Sequence, residues 1–120
     1  MKLNNSDTYS CMFSLLDSYW EQTQLEDLGG LLGSMNPNLL VDGVPIDDKL
    51  IFDWNNIVSG ESNYMTETQG YNFVIQFIEK QESWLDLSVV VFDLKKAYEN
   101  QDSYWVTWLK LCKKKKKNIT

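Results

Sequence analysis

The side chains available for chemistry are 17 carboxylates, 11 lysines, two cysteines and six tyrosines; histidine and arginine are absent. Acid–base work would therefore fall to paired carboxylates. Two groupings have the spacing for it, Asp17 with Glu21 one helical turn apart and the cluster Asp47, Asp48 and Asp53. Nothing beside either grouping marks one carboxyl for a raised pKa, so both read as solvated helix faces. A zinc site would have to recruit Cys11 and Cys112 from opposite ends of the chain. The stretch Asp42 to Asp48 partly follows a calcium loop but lacks the EF-hand spacing and its closing glutamate. Either cysteine, as a nucleophile, lacks the histidine that normally activates a thiol. The run Leu28-Gly29-Gly30-Leu31-Leu32-Gly33 has no Lys-Ser/Thr ending and no preceding strand, so it is not a phosphate loop. The expectation is a protein that is not an enzyme, with no cofactor and no metal.

Charge points the other way, toward binding. The formal net charge is -6, yet residues 1–112 hold all 17 carboxylates against six lysines, which leaves -11 there, and Lys113 to Lys117 return +5. A body this acidic repels nucleic acid and anionic membranes at long range and draws in cationic proteins. Cys11 and Cys112 each lie in an apolar helical pattern and are expected as buried thiols rather than a disulfide. Met1 to Asn5 has no apolar core after a positive start, so no secretory signal is expected. No apolar run approaches the ~20 residues that span a bilayer. These features predict a cytoplasmic protein.

The elements that must position these groups are helical. Apolar residues 43% of the chain, with five Trp and five Phe, suffice for a core in one domain of 120 residues. After an N-cap at Ser6 or Asp7, Tyr9, Met12, Phe13, Leu16, Tyr19 and Trp20 follow 3–4 spacing. Leu25, Leu28, Leu31, Leu32 and Met35 continue it in a second helix, where Gly29, Gly30 and Gly33 predict close approach of another backbone or an early end. Asn36, Pro37, Asn38, Asp42-Gly43 and Pro45 make an irregular stretch. Asp47 is the expected N-cap of a third helix with Leu50, Ile51, Trp54, Ile57 and Val58 on one face, ending near Ser59-Gly60. Thr66-Glu67-Thr68-Gln69 fits a capping box for a fourth helix, with Gly70 a weak point in its first turn. Leu87 to Phe92 is β-branched enough for a strand, but Leu87, Val91, Leu94 and Tyr98 keep helical spacing, and helix is the reading. A last helix starts near Asp102 or Ser103. The fold class is all-α, a single compact domain of five to six helices over residues 1–112, with a lysine-rich flexible C-terminal tail at 113–120. Those lysines complement the C-terminal end of the last helix dipole rather than reading bases.

One block resembles a known family. The segment Leu28-Gly29-Gly30-Leu31-Leu32-Gly33-Ser34-Met35, followed by Asp42-Gly43, Pro45, Asp47 and Trp54, has Tyr19-Trp20 upstream and Gly70-Tyr71 and Phe77-Ile78 downstream. Over residues 9–100 it resembles small helical immunity proteins of bacterial contact-dependent growth inhibition and polymorphic toxin systems. The resemblance implies a partner that is a cognate toxin domain, often a nuclease, which the immunity protein binds and blocks. It carries no residue-level binding motif. The candidate contacts come from charge and loop position: Asp42, Asp47, Asp48, Asp53 and Glu61, with Trp54 as an apolar anchor. For Asp47 the helix cap, and for Trp54 the core, compete with that role. The expected partner is a cationic protein, with no nucleic acid and no membrane. The alternative is an adaptor or regulatory scaffold that docks a peptide or helix in an aromatic groove.

Overall fold

Leu3 and Asn4 pair antiparallel with Met65 and Tyr64, and that short ladder fixes where the first helix begins. In the computed structural model, residues 3–35, 40–41, 44–45, 48–58 and 64–119 are described. The order is β1 (Leu3–Asn4), α1 (Asn5–Thr23), α2 (Glu26–Met35), β2 (Leu40–Val41), β3 (Val44–Pro45), α3 (Asp48–Val58), β4 (Tyr64–Met65), α4 (Glu67–Gln81), α5 (Ser88–Asn100) and α6 (Ser103–Ile119). Among the described residues, six helices form one all-α globule. The two strand pairs, β1 with β4 and β2 with β3, are each two residues long and were not foreseen. Among the described residues no helix is long and apolar enough to cross a membrane.

Three helix boundaries differ from expectation for local reasons. The ladder holds Asn4 extended, so its side chain accepts the Asp7 N–H at 2.7 Å and caps α1 two residues before Ser6. The glycines of α2 neither end it nor admit a backbone; the helix runs to Met35, and a Cβ on Gly29 would meet the Trp20 indole Nε1 at 2.8 Å. The lysine run, expected as a tail, continues α6, which is helical to Ile119. Lysine is a good helix former, and a long helix already anchored by its apolar half propagates cheaply. The expected Asp47 cap and the stop at Ser59-Gly60 fall outside the described residues.

Elsewhere the pattern holds. Thr66 and Gln69 close the capping box reciprocally at 3.2 and 2.9 Å. The 87–92 run is helical from Ser88, with Leu87 at the cap, because Val90, Val91, Leu94 and Ala97 fall on one buried arc while Val89 and Phe92 face out. A strand would have alternated instead.

Packing is organised by two groups of rings, edge-on except for the stacked Tyr71–Tyr98 pair. Tyr9, Trp54 and Phe77 join α1, α3 and α4, with centroids 5.9–6.3 Å apart. Tyr71, Tyr98, Trp105 and Trp108 join α4, α5 and α6 at 4.9–6.1 Å. Such pairs contribute about 0.5–1.5 kcal/mol each beyond the apolar area they bury. α1 packs most extensively on α6, antiparallel to it, so that Tyr19 meets Tyr104 and Cys11 meets Cys112.

Gly70 lies where α1, α4 and α6 converge. A Cβ there would stand 3.0 Å from the Trp108 ring and 3.1 Å from the Thr8 methyl. Neither neighbour can yield: the Trp108 indole N–H is bonded to the Glu67 carbonyl at 2.9 Å, and the Thr8 hydroxyl to the Asn4 carbonyl at 2.7 Å. Gly30, in contrast, has nothing within 4 Å of such a Cβ. Gly30→Ala should therefore raise unfolding free energy by about 0.5–1 kcal/mol. Gly70→Ala should lower it by about 1–2 kcal/mol through overpacking. Urea denaturation of the two variants checks both signs.

Two phenols tie α1 and α4 to α5. Tyr71 donates to the Leu94 carbonyl and Tyr19 to the Asp93 carboxylate, each at 2.6 Å. Burial holds both above the usual tyrosine pKa, and at Tyr19 the adjacent Asp93 adds to it. The fold thus favours the protonated phenols, whose contribution is complete below about pH 10 and is lost as pH rises above it. Thermal stability should stay level from neutral pH to about pH 9 and fall beyond about pH 10. The fall should be shallower in Tyr71→Phe; an unchanged alkaline limb in that variant would refute the assignment.

Candidate partner-binding surface

The carboxylates and aromatic ring proposed for contact separate into three groups. Asp42, Asp47 and Glu61 lie outside the described residues. Asp48 opens α3. Asp53 and Trp54 are withdrawn from the surface, at 7% and 1% exposure, and their assignment to a contact surface is corrected accordingly. The reason is helical phase: Leu50, Trp54 and Val58 make the buried stripe of α3, and Trp54 enters the ring group with Tyr9 and Phe77. Asp53 sits beside that stripe and points at α4.

That buried carboxylate has a task. Asp53 Oδ2 accepts from Gln81 Nε2 at 3.0 Å, and Gln81 Oε1 accepts from the Trp84 indole N–H at 2.8 Å. Gln81 is itself fully buried. An amide between an anion and an indole donor can point only one way, its NH2 to the carboxylate and its oxygen to the indole. The relay therefore fixes the rotamer of Trp84 from inside the protein. Outside, the Lys49 ammonium lies 5.3 Å from the centre of the indole ring, a cation–π contact worth about 0.5–1 kcal/mol at such a site.

Trp84 is thus rigid yet 47% exposed. It sits in the turn after α4, which tightens through Trp84 N–H and Leu85 N–H to the Gln81 carbonyl at 3.2 and 3.1 Å. On either side stand exposed Glu82 and Asp86. The Asp86 backbone N–H donates to the Asp27 carboxylate at 2.7 Å, which ties the turn to the acidic first turn of α2. Residues 82–87 line a shallow depression of about 420 Å³. Phe52, one helical turn from Lys49 on α3, is 65% exposed. Lys49 and Lys80 are the cations on these elements, set against Glu82, Asp86, Asp27 and Glu26. The result is an aromatic anchor among carboxylates on a braced turn, a form suited to a cationic protein surface.

Sequence reasoning passed over this turn. The same charge-and-loop logic, applied to Glu82-Ser83-Trp84-Leu85-Asp86, would have selected it: a tryptophan two residues from an acid on each side, between two helices. Of the five tryptophans, Trp54, Trp105 and Trp108 are buried and Trp20 partly so, which leaves Trp84 as the one at the rim.

The carboxylates considered for acid–base work lie on separate helices, Asp48 and Asp53 on α3. Asp17 and Glu21 remain on α1. Glu79 pairs with Lys95 at 3.5 Å across α4 and α5, both about half exposed. Among the described residues no group of three or more Asp, Glu or Cys could hold a metal ion. No family model, no curated protein and no solved structure matches this chain.

The relay predicts an ordered set of stabilities. Gln81→Ala removes the donor to a buried carboxylate and should cost about 1.5–3 kcal/mol. Trp84→Phe, which removes the indole donor to Gln81 and leaves a smaller ring beside Lys49, should cost less, about 1 kcal/mol. Urea denaturation of both variants and of the double variant measures the coupling; strict additivity would mean that the relay does not act as one unit.

Proposed function

We propose that this chain is an immunity-type inhibitor that acts in the cytoplasm by binding a cationic toxin domain through the acidic turn around Trp84. The observation that carries the reading is Trp84 itself, half exposed, braced by Gln81 and Asp53, and flanked by Glu82 and Asp86. Interface energy concentrates in anchors of this kind, because a side chain that is already fixed loses little entropy on binding. The charge of -11 over residues 1–112 supplies steering. A nuclease fits this partner best, since it must carry a positive cleft to hold phosphates, and an acidic protein can occupy that cleft. The resemblance of residues 28–35 and their surroundings to immunity proteins supports the same reading. No bond is made or broken; inhibition follows from occupancy.

A second reading, an adaptor that docks an apolar helix or peptide, draws on exposed Val89 and Phe92 on α5 and Val106 and Leu109 on α6. Salt separates the two, because electrostatic association slows steeply with ionic strength and apolar docking does not.

The test is co-purification of the tagged full-length chain from its native cell, followed by kinetics with the captured partner. Trp84→Ala should weaken affinity about 30-fold or more. A Glu82→Lys/Asp86→Lys double variant should lower the on-rate about tenfold and flatten its salt dependence. Wild-type kinetics indifferent to salt, with loss of binding on Phe92→Ala, would replace the first reading by the second.

A further inference from the structure

The seam between α1 and α6 places the two cysteines of the chain, 101 positions apart in sequence, against one another. Antiparallel packing in one register brings this about: Tyr19 meets Tyr104 at 4.9 Å, and eight residues further along each helix Cys11 meets Cys112. Both are in the thiol form and buried. They differ in access. Cys11 lines an open cleft of about 180 Å³ with Ser10, Ser14, Leu111, Lys114 and Lys115, whereas Cys112 lies behind it in the core. The Cys11 thiol also donates to the Leu111 carbonyl at 3.7 Å, which holds it toward the Cys112 turn of α6.

We propose that Cys11 and Cys112 form a dithiol that closes to an intramolecular disulfide under a two-electron oxidant such as hydrogen peroxide, with Cys11 as the attacking sulfur. The Cys11 thiolate attacks one peroxide oxygen, the O–O bond breaks, and the departing hydroxide takes a proton to leave as water. Cys11 is then a sulfenic acid. The Cys112 thiolate attacks that sulfur, the S–O bond breaks, and a second water leaves with the remaining thiol proton. Two thiols and one peroxide become one disulfide and two waters; each sulfur gives one electron and the peroxide accepts two.

The surroundings favour this order. A hydrogen bond from Cys112 lowers the Cys11 pKa, burial opposes it, Lys115 lowers it further, and Asp7 raises it, with a net fall. The cleft admits a molecule the size of peroxide, since a water occupies only about 30 Å³. The product would tie the first helix to the last and close a loop of about 100 residues, which removes much conformational freedom from the unfolded chain. Since α1 on α6 is the most extensive helix contact, the bond would secure the contact on which the frame turns.

Full-length protein treated with hydrogen peroxide, then unfolded and alkylated, tests this. The expected product is lighter than the reduced protein by about 2 Da, takes up no alkylating agent, and yields a peptide linking Cys11 to Cys112. Its melting midpoint should rise by at least about 5 °C and return on reduction with dithiothreitol. Cys112→Ser, checked for fold by circular dichroism, should instead trap a sulfenic acid at Cys11 that dimedone labels. Two alkylatable thiols after peroxide, disulfide-linked dimers, or sulfinic acid at either cysteine in the wild type would each overturn the proposal. These wild-type readouts decide it even if the variant fails to fold.

Discussion

Everything in this fold depends on the fit of Trp108 over Gly70. α6 comes back across the molecule and inserts a fully buried indole at the first turn of α4, where only a hydrogen on Gly70 leaves room. The same spot takes the methyl of Thr8, so three helices from the start, middle and end of the chain meet at one Cα. The indole N–H bonds the Glu67 carbonyl, so the ring satisfies its polar atom and excludes rotation at once. A glycine in a first helical turn weakens the helix by itself, by roughly 1 kcal/mol. Here the loss is offset by the close approach that it permits.

From that point order spreads along α4. At its start, the capping box and Trp108 hold Glu67 to Gly70 in place. Midway, Tyr71 and Phe77 meet rings of α1, α3, α5 and α6, with Val74 and Ile78 buried on the same helix. At its end, buried Gln81 passes the direction of Asp53 out to Trp84. One helix thus connects the most constrained part of the core to the most exposed indole. A side chain held in this way meets a partner with its rotamer already chosen.

Charge is distributed with equal consequence. Carboxylates occupy the surfaces of α1, α2, α4 and α5, while consecutive lysines make up the last turns of α6. A protein with this separation orients in the field of another before contact, which favours productive encounters with a cationic face. At the base of the lysine run, Lys114 and Lys115 stand over the cleft that leads to Cys11. The positive end of the molecule and the thiol pair therefore share one location.

Local pattern determined much of this protein. Helical spacing gave α1, α2, α4 and α5, the Thr66 to Gln69 box gave a start, and the apolar arc of Val90, Val91 and Leu94 decided helix over strand at 87–92. These signals are local because a helix forms its hydrogen bonds within four residues and marks its buried face with a 3.6 period. The β1–β4 ladder, and with it the Asn4 cap, was not legible, since pairing of residues 60 and 62 positions apart leaves no periodic trace. Nor was the candidate site. Helical spacing already set Trp54 on the apolar face of α3, but only packing decides that Asp53 beside it turns inward, that Gln81 lies between Asp53 and Trp84, and that Cys11 faces Cys112. Chain chemistry set the helices and the charge; the register between distant helices, which no local interaction specifies, decided which side chains reach the surface.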